Sequence, residues 1–153
     1  MYQAMVRRLV RWAFERLSQR DIDTLLGHCS PCMEHQFAGN HALGGSRRGT
    51  HDCRRWLERL FRLFPELRFH IHEIMVVGPP WNTRAVVTWT DEGRAADGAP
   101  YRNHGTHVLR LRAGRLTQIH AHLDTQCVEQ TLNRLAESGI EEARATPIGG
   151  DHD

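Results

Sequence analysis

The sequence contains no lysine: all 20 of its basic residues are arginine. That absence excludes Schiff-base chemistry, a phosphate-loop lysine and a Ser–Lys nucleophile pair. Long apolar runs are missing too, and no window approaches the ~20 apolar residues of a membrane span. The basic N-terminal stretch MYQAMVRRLVRWAFERLSQRD is broken by Arg7, Arg8, Arg11 and Arg16. A secretory leader requires an uninterrupted apolar segment, so this stretch reads as the first helix of a cytoplasmic domain. A strong charge bias is absent as well. Net charge is +2, from 20 basic and 18 acidic residues, which argues against nucleic acid, whose binders are strongly basic. There is no G-x-G-x-x-G, no phosphate loop and no G-x-S-x-G, because GGSRRG carries Arg48 where the last glycine belongs. Of four cysteines, Cys29 and Cys32 have C-x-x-C spacing. No second such pair exists for zinc, and the motif follows a helix instead of opening one, so a structural role is expected.

What is present is one domain. The chain has 153 residues, enough to bury roughly 70% of its unfolded surface. Met5, Val6, Leu9, Val10, Ala13, Phe14 and Leu17 recur at helical spacing and predict a helix over about 3–19. A short helix follows, capped by Asp21 and ended by Pro31. CMEHQF (32–37) alternates as a strand, AGNHALGGSRRG reads as a loop, and Thr50 is the expected cap of a helix that Pro65 stops. The period then changes to two. Strands are predicted over 67–77, 83–92, 100–112 and 115–124, with turn residues between them that make neighbours antiparallel. A last helix runs from 125 to Gly139. Helices first and a meander of strands later indicate α+β: a strongly bent antiparallel sheet, three to four helices and a pocket between the layers. The expected division is a single domain over 1–139 and a loose tail over 140–153.

Three stretches carry a family likeness: FERLSQRDIDTLLGHCSP, MEHQFAGNHALGGSRRGTHDCRRWLERLF and DGAPYRNHGTHVLRLRAGRLTQIHAHLDT. Together they resemble the nuclear transport factor 2-like (NTF2-like, cystatin-like) superfamily, and within it the SnoaL-like polyketide cyclases and ketosteroid isomerases. The resemblance implies a cone-shaped fold and a pocket lined by the first strand and the two long central strands. It also implies a homodimer. It puts Asp124 in the place of the cyclases' acid–base aspartate and His35 in the place of the isomerases' general base. The isomerases' two oxyanion donors fall on Ala13 or Phe14 and near His107, so that oxyanion hole is changed here.

The stretch QIHAHLDTQ places His120, His122 and Asp124 two residues apart, on one face of a strand, opposite Ile119, Ala121 and Leu123. Three readings stay open: a solvated or intersubunit stripe, a pocket wall, or a metal site helped by His70 and His72. The third is handicapped because the stripe spans roughly 13 Å. Tyr101, Asn103 and His107 share a face that ends in Leu109 and Leu111, which suits a pocket wall. His35 shares its face with Met33 and Phe37. The expected acid–base set is His35, His107 and Asp124, with His122 assisting. Tyr101, Asn103, Trp56, Trp89, Phe37 and His120 are expected to touch the ligand. An imidazole in an apolar pocket has a pKa suited to removing a proton beside a carbonyl, and Asn103 or Tyr101 could steady the enolate. No metal or other cofactor is assigned. The expected ligand is a small apolar or cyclic carbonyl compound, acted on by an isomerase, cyclase or lyase, or held by a binding module without chemistry.

Overall fold

The computed structural model describes residues 1–149. Helix α1 (Tyr2–Ser18) buries Val6, Val10 and Phe14, one residue per turn. Helix α2 (Ile22–Gly27) starts where the Asp21 side chain accepts from the Thr24 amide at 3.3 Å. It ends before Pro31, earlier than the sequence suggests. Strand β1 (Cys29–Phe37) absorbs the proline instead. Its pairing register slips between Cys29 and Glu34, and an irregular stretch is where a residue without an N–H fits in a strand.

The expected loop 38–49 contains a strand, β2 (Gly45–Arg48), antiparallel to β1. Its composition reads as loop because a short edge strand draws its stability from its partner and not from its own propensity. Helix α3 (Gly49–Leu63) starts one residue before Thr50 and has no side-chain cap. Strands β3 (Arg68–Val77), β4 (Thr83–Arg94), β5 (Pro100–Arg112) and β6 (Arg115–Leu123) form the meander. Ala113 and Gly114, both with positive φ, make the two-residue β5–β6 turn.

The six strands lie in the order β2-β1-β6-β5-β4-β3. All pairs are antiparallel except β1–β6, which is parallel. The sheet is therefore mixed, because β1 joins the far side of the meander through a long connection, as parallel pairs require. Helix α4 (Thr125–Glu137) buries Val128, Leu132 and Leu135. Past it, Gly139 has φ +97°, and the Gly139 and Ile140 amides donate to the Ala136 and Leu135 carbonyls, a Schellman end.

Residues 140–149 are not the loose tail expected from their small, polar composition. A 3-10 turn (Glu141–Arg144) and buried Ala143 and Ile148 pack on the main core. Arg59 donates to the Thr146 carbonyl at 2.8 Å, and Arg62 pairs with Glu142 at 2.6 Å. The rest of that expectation, 150–153, lies outside the described residues.

Gly105 on β5 permits a close approach. A Cβ there would lie 2.4 Å from the His122 carbonyl oxygen and 2.8 Å from Cζ2 of Trp89, so the indole crosses β5 over the glycine. Gly105→Ala should lower stability by about 1–3 kcal/mol, read from urea midpoints. An unchanged midpoint would show that the indole does not occupy that space.

Candidate functional site

Alternation along the strands decides what faces the helices. Trp89 and Asp91 on β4, Tyr101 and His107 on β5, Ile119 and Leu123 on β6, and Met33, His35 and Phe37 on β1 all line one cavity of about 160 Å³. Helices α1 and α3 complete the wall, with Phe14 and Trp56 among their contributions. The lining is overwhelmingly apolar. His28 and Gly114 are its exposed members, and Trp12 tilts against His28 at 4.6 Å, so the mouth lies there. Asp91 and Tyr101, only 3% and 7% exposed, mark the closed end. His35 and His107 lie between the two.

Each imidazole is fixed by a donor that cannot accept. The Arg47 guanidinium donates to His35 Nδ1 at 2.5 Å, and the Trp89 indole N–H donates to His107 Nδ1 at 2.5 Å. Both Nδ1 atoms are therefore acceptors, and in the neutral rings the proton sits on Nε2. Burial, reinforced by the neighbouring Arg47 charge, holds the His35 pKa well below the usual histidine value. Burial, with a smaller contribution from His122, lowers His107 to about 4. At neutral pH both rings are neutral N–H donors. Trp56 packs on His35 at 4.3 Å and is itself anchored through Nε1 to the Leu43 carbonyl at 2.8 Å.

Asp91 is the group that sequence reasoning missed. Its Oδ1 is sealed from solvent and has no hydrogen-bond partner among the described residues. Burial raises its pKa to about 7, with only partial relief from the Asn103 backbone amide. The signal was present: Ala85, Val87 and Trp89 alternate inward along β4, and Asp91 is the next inward position. Beside it, burial and the Asp91 charge push the Tyr101 phenol up. The Tyr101 oxygen accepts from Asn103 Nδ2 at 3.1 Å, which leaves its O–H free to donate.

The expected residues divide accordingly. His35, His107, Tyr101, Trp56, Trp89 and Phe37 are in the cavity wall. Asn103 is buried behind Tyr101 and also donates to the Asp124 carbonyl at 3.0 Å. Asp124, His122 and His120 do not face the cavity. Asp124 is the N-cap of α4, with its carboxylate on the Cys127 amide at 3.2 Å, because an aspartate ahead of a helix satisfies free backbone donors. His120 and His122 point to the outer face of the sheet, since Ile119, Ala121 and Leu123 take the inner one. His122 is exposed, and His120 Nε2 lies 3.7 Å from Glu34 Oε1.

On the outer face His70 meets Glu92 at 3.0 Å and His72 meets Thr90 at 2.5 Å. Among the described residues, no three His, Cys, Asp or Glu side chains come together as a metal site. Cys29 is buried and Cys32 exposed, both free. Burial raises the Cys29 and Cys53 thiols to about 11, so neither is a poised nucleophile. No described helix is long and apolar enough to cross a membrane.

Residues 6–119 match the SnoaL-like domain. The chain belongs to that family. No curated protein matches this SnoaL-like chain. Among solved structures it is similar to an NTF2-like protein of unknown function from Burkholderia pseudomallei. Identity to that protein is 23% and the TM-score 0.73, over 82% of this chain and 95% of that one. It is similar to TerC, co-crystallised with polyporic acid, at 21% identity and TM-score 0.70, over 81% and 95% of the two chains. PrhC from Penicillium brasilianum superposes with TM-score 0.76 at 15% identity, over 89% and 91%. At these identities the likeness establishes the fold.

Because the folded chain keeps the Asp91 proton to higher pH than the unfolded chain, it binds more protons between about pH 4 and 7. Asp91 therefore favours the folded state least at high pH, and stability falls as pH rises through that window. Moving the carboxyl pKa from 3.8 to about 7 corresponds to a penalty on the order of 4 kcal/mol above the window. Asp91→Asn should stabilise the protein by up to that amount near pH 8 and hardly at all near pH 4, measured by urea denaturation. An equal gain at both pH values would mean that the carboxyl is not held protonated by burial.

Proposed function

We propose that this SnoaL-like protein takes a small, elongated, largely apolar cyclic carbonyl compound into the cavity and moves a proton on it, as an isomerase, cyclase or lyase. One observation carries the reading. A buried carboxyl with a pKa near neutrality and one oxygen without a hydrogen-bond partner among the described residues sits at the closed end of an apolar cavity, next to a hydroxyl free to donate. A base is most effective when its pKa lies near the working pH, and a buried carboxyl with an unsatisfied oxygen is otherwise a liability.

In the proposed step, ionised Asp91 removes a proton from the carbon next to the carbonyl. The C–H bond breaks, its electron pair moves onto the carbonyl oxygen, and the Tyr101 hydroxyl donates to that oxygen. Asp91 then returns the proton to a different carbon or to a leaving group. Asn103 acts as a positioning residue, because its Nδ2 occupies a lone pair of the Tyr101 oxygen. The chain's own groups supply the base and the donor for every stage of this sequence. This places the carboxylate on Asp91, in the role the family likeness suggested for Asp124.

A second reading, binding without chemistry, draws on a different observation. Asn103 pairs with Asp91 and lies four residues from His107 along β5, roughly 13 Å, so the imidazoles do not join the carboxyl in one cluster. We further propose a cytoplasmic homodimer, for which the helix-free outer face of the sheet is the available surface.

Cyclic ketones and enones, and polyporic acid from the TerC likeness, are the first compounds to screen. Wild-type protein incubated with a bound ketone in deuterated water should accelerate exchange at the carbon beside the carbonyl, followed by NMR. Asp91→Asn should slow that exchange by about 100-fold or more while still binding the ketone. Binding without exchange by the wild type would favour the binding module. Failure of the wild type to bind any cyclic carbonyl compound would refute both readings.

A further inference from the structure

Arg47 is 2% exposed, and each nitrogen of its guanidinium has a partner. Nε donates to the Ile148 carbonyl at 3.1 Å, Nη2 to the Gly44 carbonyl at 2.7 Å and Nη1 to His35 Nδ1 at 2.5 Å. None of these partners is a carboxylate, and among the described residues no carboxylate oxygen lies within 4.0 Å of it. The charged groups of the packed helix α3 act from farther away and oppose one another, Asp52 favouring the cation and Arg59 disfavouring it. A buried cation without a counter-charge is expensive, because carbonyl dipoles replace only part of its hydration.

The position of Arg47 indicates what kind of group would complement its charge. The guanidinium does not reach the cavity itself; its Nη1–H ends on His35 Nδ1. That bond fixes the proton on Nε2, and Nε2 has no partner among the described residues, although His35 lines the cavity. The guanidinium polarises the ring, so the Nε2–H is a stronger donor than that of an ordinary neutral histidine. Other groups acting on His35 are His107 in the same cavity and His120 on the outer face, and neither brings negative charge. Glu34, the nearest carboxylate on β1, faces outward toward Arg48 and His120.

We infer that the His35–Arg47 pair is a binding subsite for an ionised oxygen of the ligand, so that the cavity selects compounds bearing an acidic enol, phenol or carboxylic acid and holds them as anions. The inference rests on the cavity reading above and adds a substrate class. The ligand would carry one acidic oxygen at His35, midway along the cavity, and its enolisable carbonyl at Asp91. His35 is thereby a positioning and charge-selecting residue, and the proton transfer stays with Asp91.

The test uses 4-nitrophenol, whose phenolate absorbs in the visible, and its methyl ether, 4-nitroanisole, which cannot ionise. At a pH where the free phenol is mostly protonated, the phenol bound to wild-type protein should show the phenolate spectrum. It should bind at least about tenfold more tightly than the ether, the scale of one hydrogen bond to a charged group. In Arg47→Gln and His35→Phe the bound probe should return to the neutral spectrum and the preference should vanish, with circular dichroism confirming folded protein. His35→Phe keeps the comparison available if Arg47→Gln does not fold. A neutral spectrum for the probe bound to wild type overturns the inference, as does a preference retained in a folded variant. Equal binding of phenol and ether overturns it and leaves the cavity reading standing. Failure of both probes to bind overturns the inference, and the ketone screen decides the cavity reading separately.

Discussion

A single buried guanidinium joins parts of the chain that lie far apart in sequence. Arg47 sits on the edge strand β2, grips the Gly44 carbonyl in the preceding loop, holds the Ile148 carbonyl of the C-terminal segment and ends on the His35 ring. Each of these bonds satisfies a polar group that would otherwise be stranded away from water, and buried polar groups are tolerated only on that condition. The edge strand, the loop, the closing segment and one imidazole of the cavity are thus positioned by the same cation. Trp89 does the equivalent for the other imidazole, where the bare backbone at Gly105 gives its indole room to reach His107.

The middle and the closed end of the cavity divide the polar functions. Groups midway along it are neutral, proton-bearing and held rigidly by donors behind them. The group at the closed end is a carboxyl whose pKa burial raises to about 7 against the pull of a backbone amide. In a low-dielectric enclosure neither set needs to move to act, and fixed dipoles of this sort are the form of stabilisation that enzymes draw on most heavily. The outer face of the same sheet carries His70, His72, His120 and His122, whose partners there are a carboxylate, a hydroxyl or solvent.

Most of the fold was legible because period-two and period-3.6 patterns are set by burial, and burial here is one-sided for every long element. The meander β3–β6, the helices α1, α3 and α4, and the Asp21 cap follow directly from those patterns. What could not be read were features stabilised from a distance. Strand β2 is a run of glycine, serine and arginine that becomes a strand by pairing with β1. The 140–149 segment looks loose until Ile148 finds the core. In the site, alternation alone put His35, His107 and Tyr101 inside. It left the face of QIHAHLDTQ undecided, because Ile119, Ala121 and Leu123 suit a core and the histidines suit either side. Asp124 was misread because an aspartate between a strand and a helix can serve a pocket or a cap, and only geometry decides. Asp91 went unnoticed because it lies in the polar end, TDE, of the predicted strand 83–92, although its phase on β4 points inward.

The bond from Arg47 to the Ile148 carbonyl spans 101 residues of sequence. A chain emerges from the ribosome from its N-terminus onward, so Arg47 is made first, and the carbonyl that completes its setting is made 101 residues later. Until then the guanidinium lacks one of its three anchors, and β2 is held by β1 and α3 without the closing segment. Helices and hairpins of the meander can form as they appear, since their contacts are local. The histidine side of the cavity cannot reach its final shape until residue 148 exists, so the site matures only after the whole meander and α4 have been made.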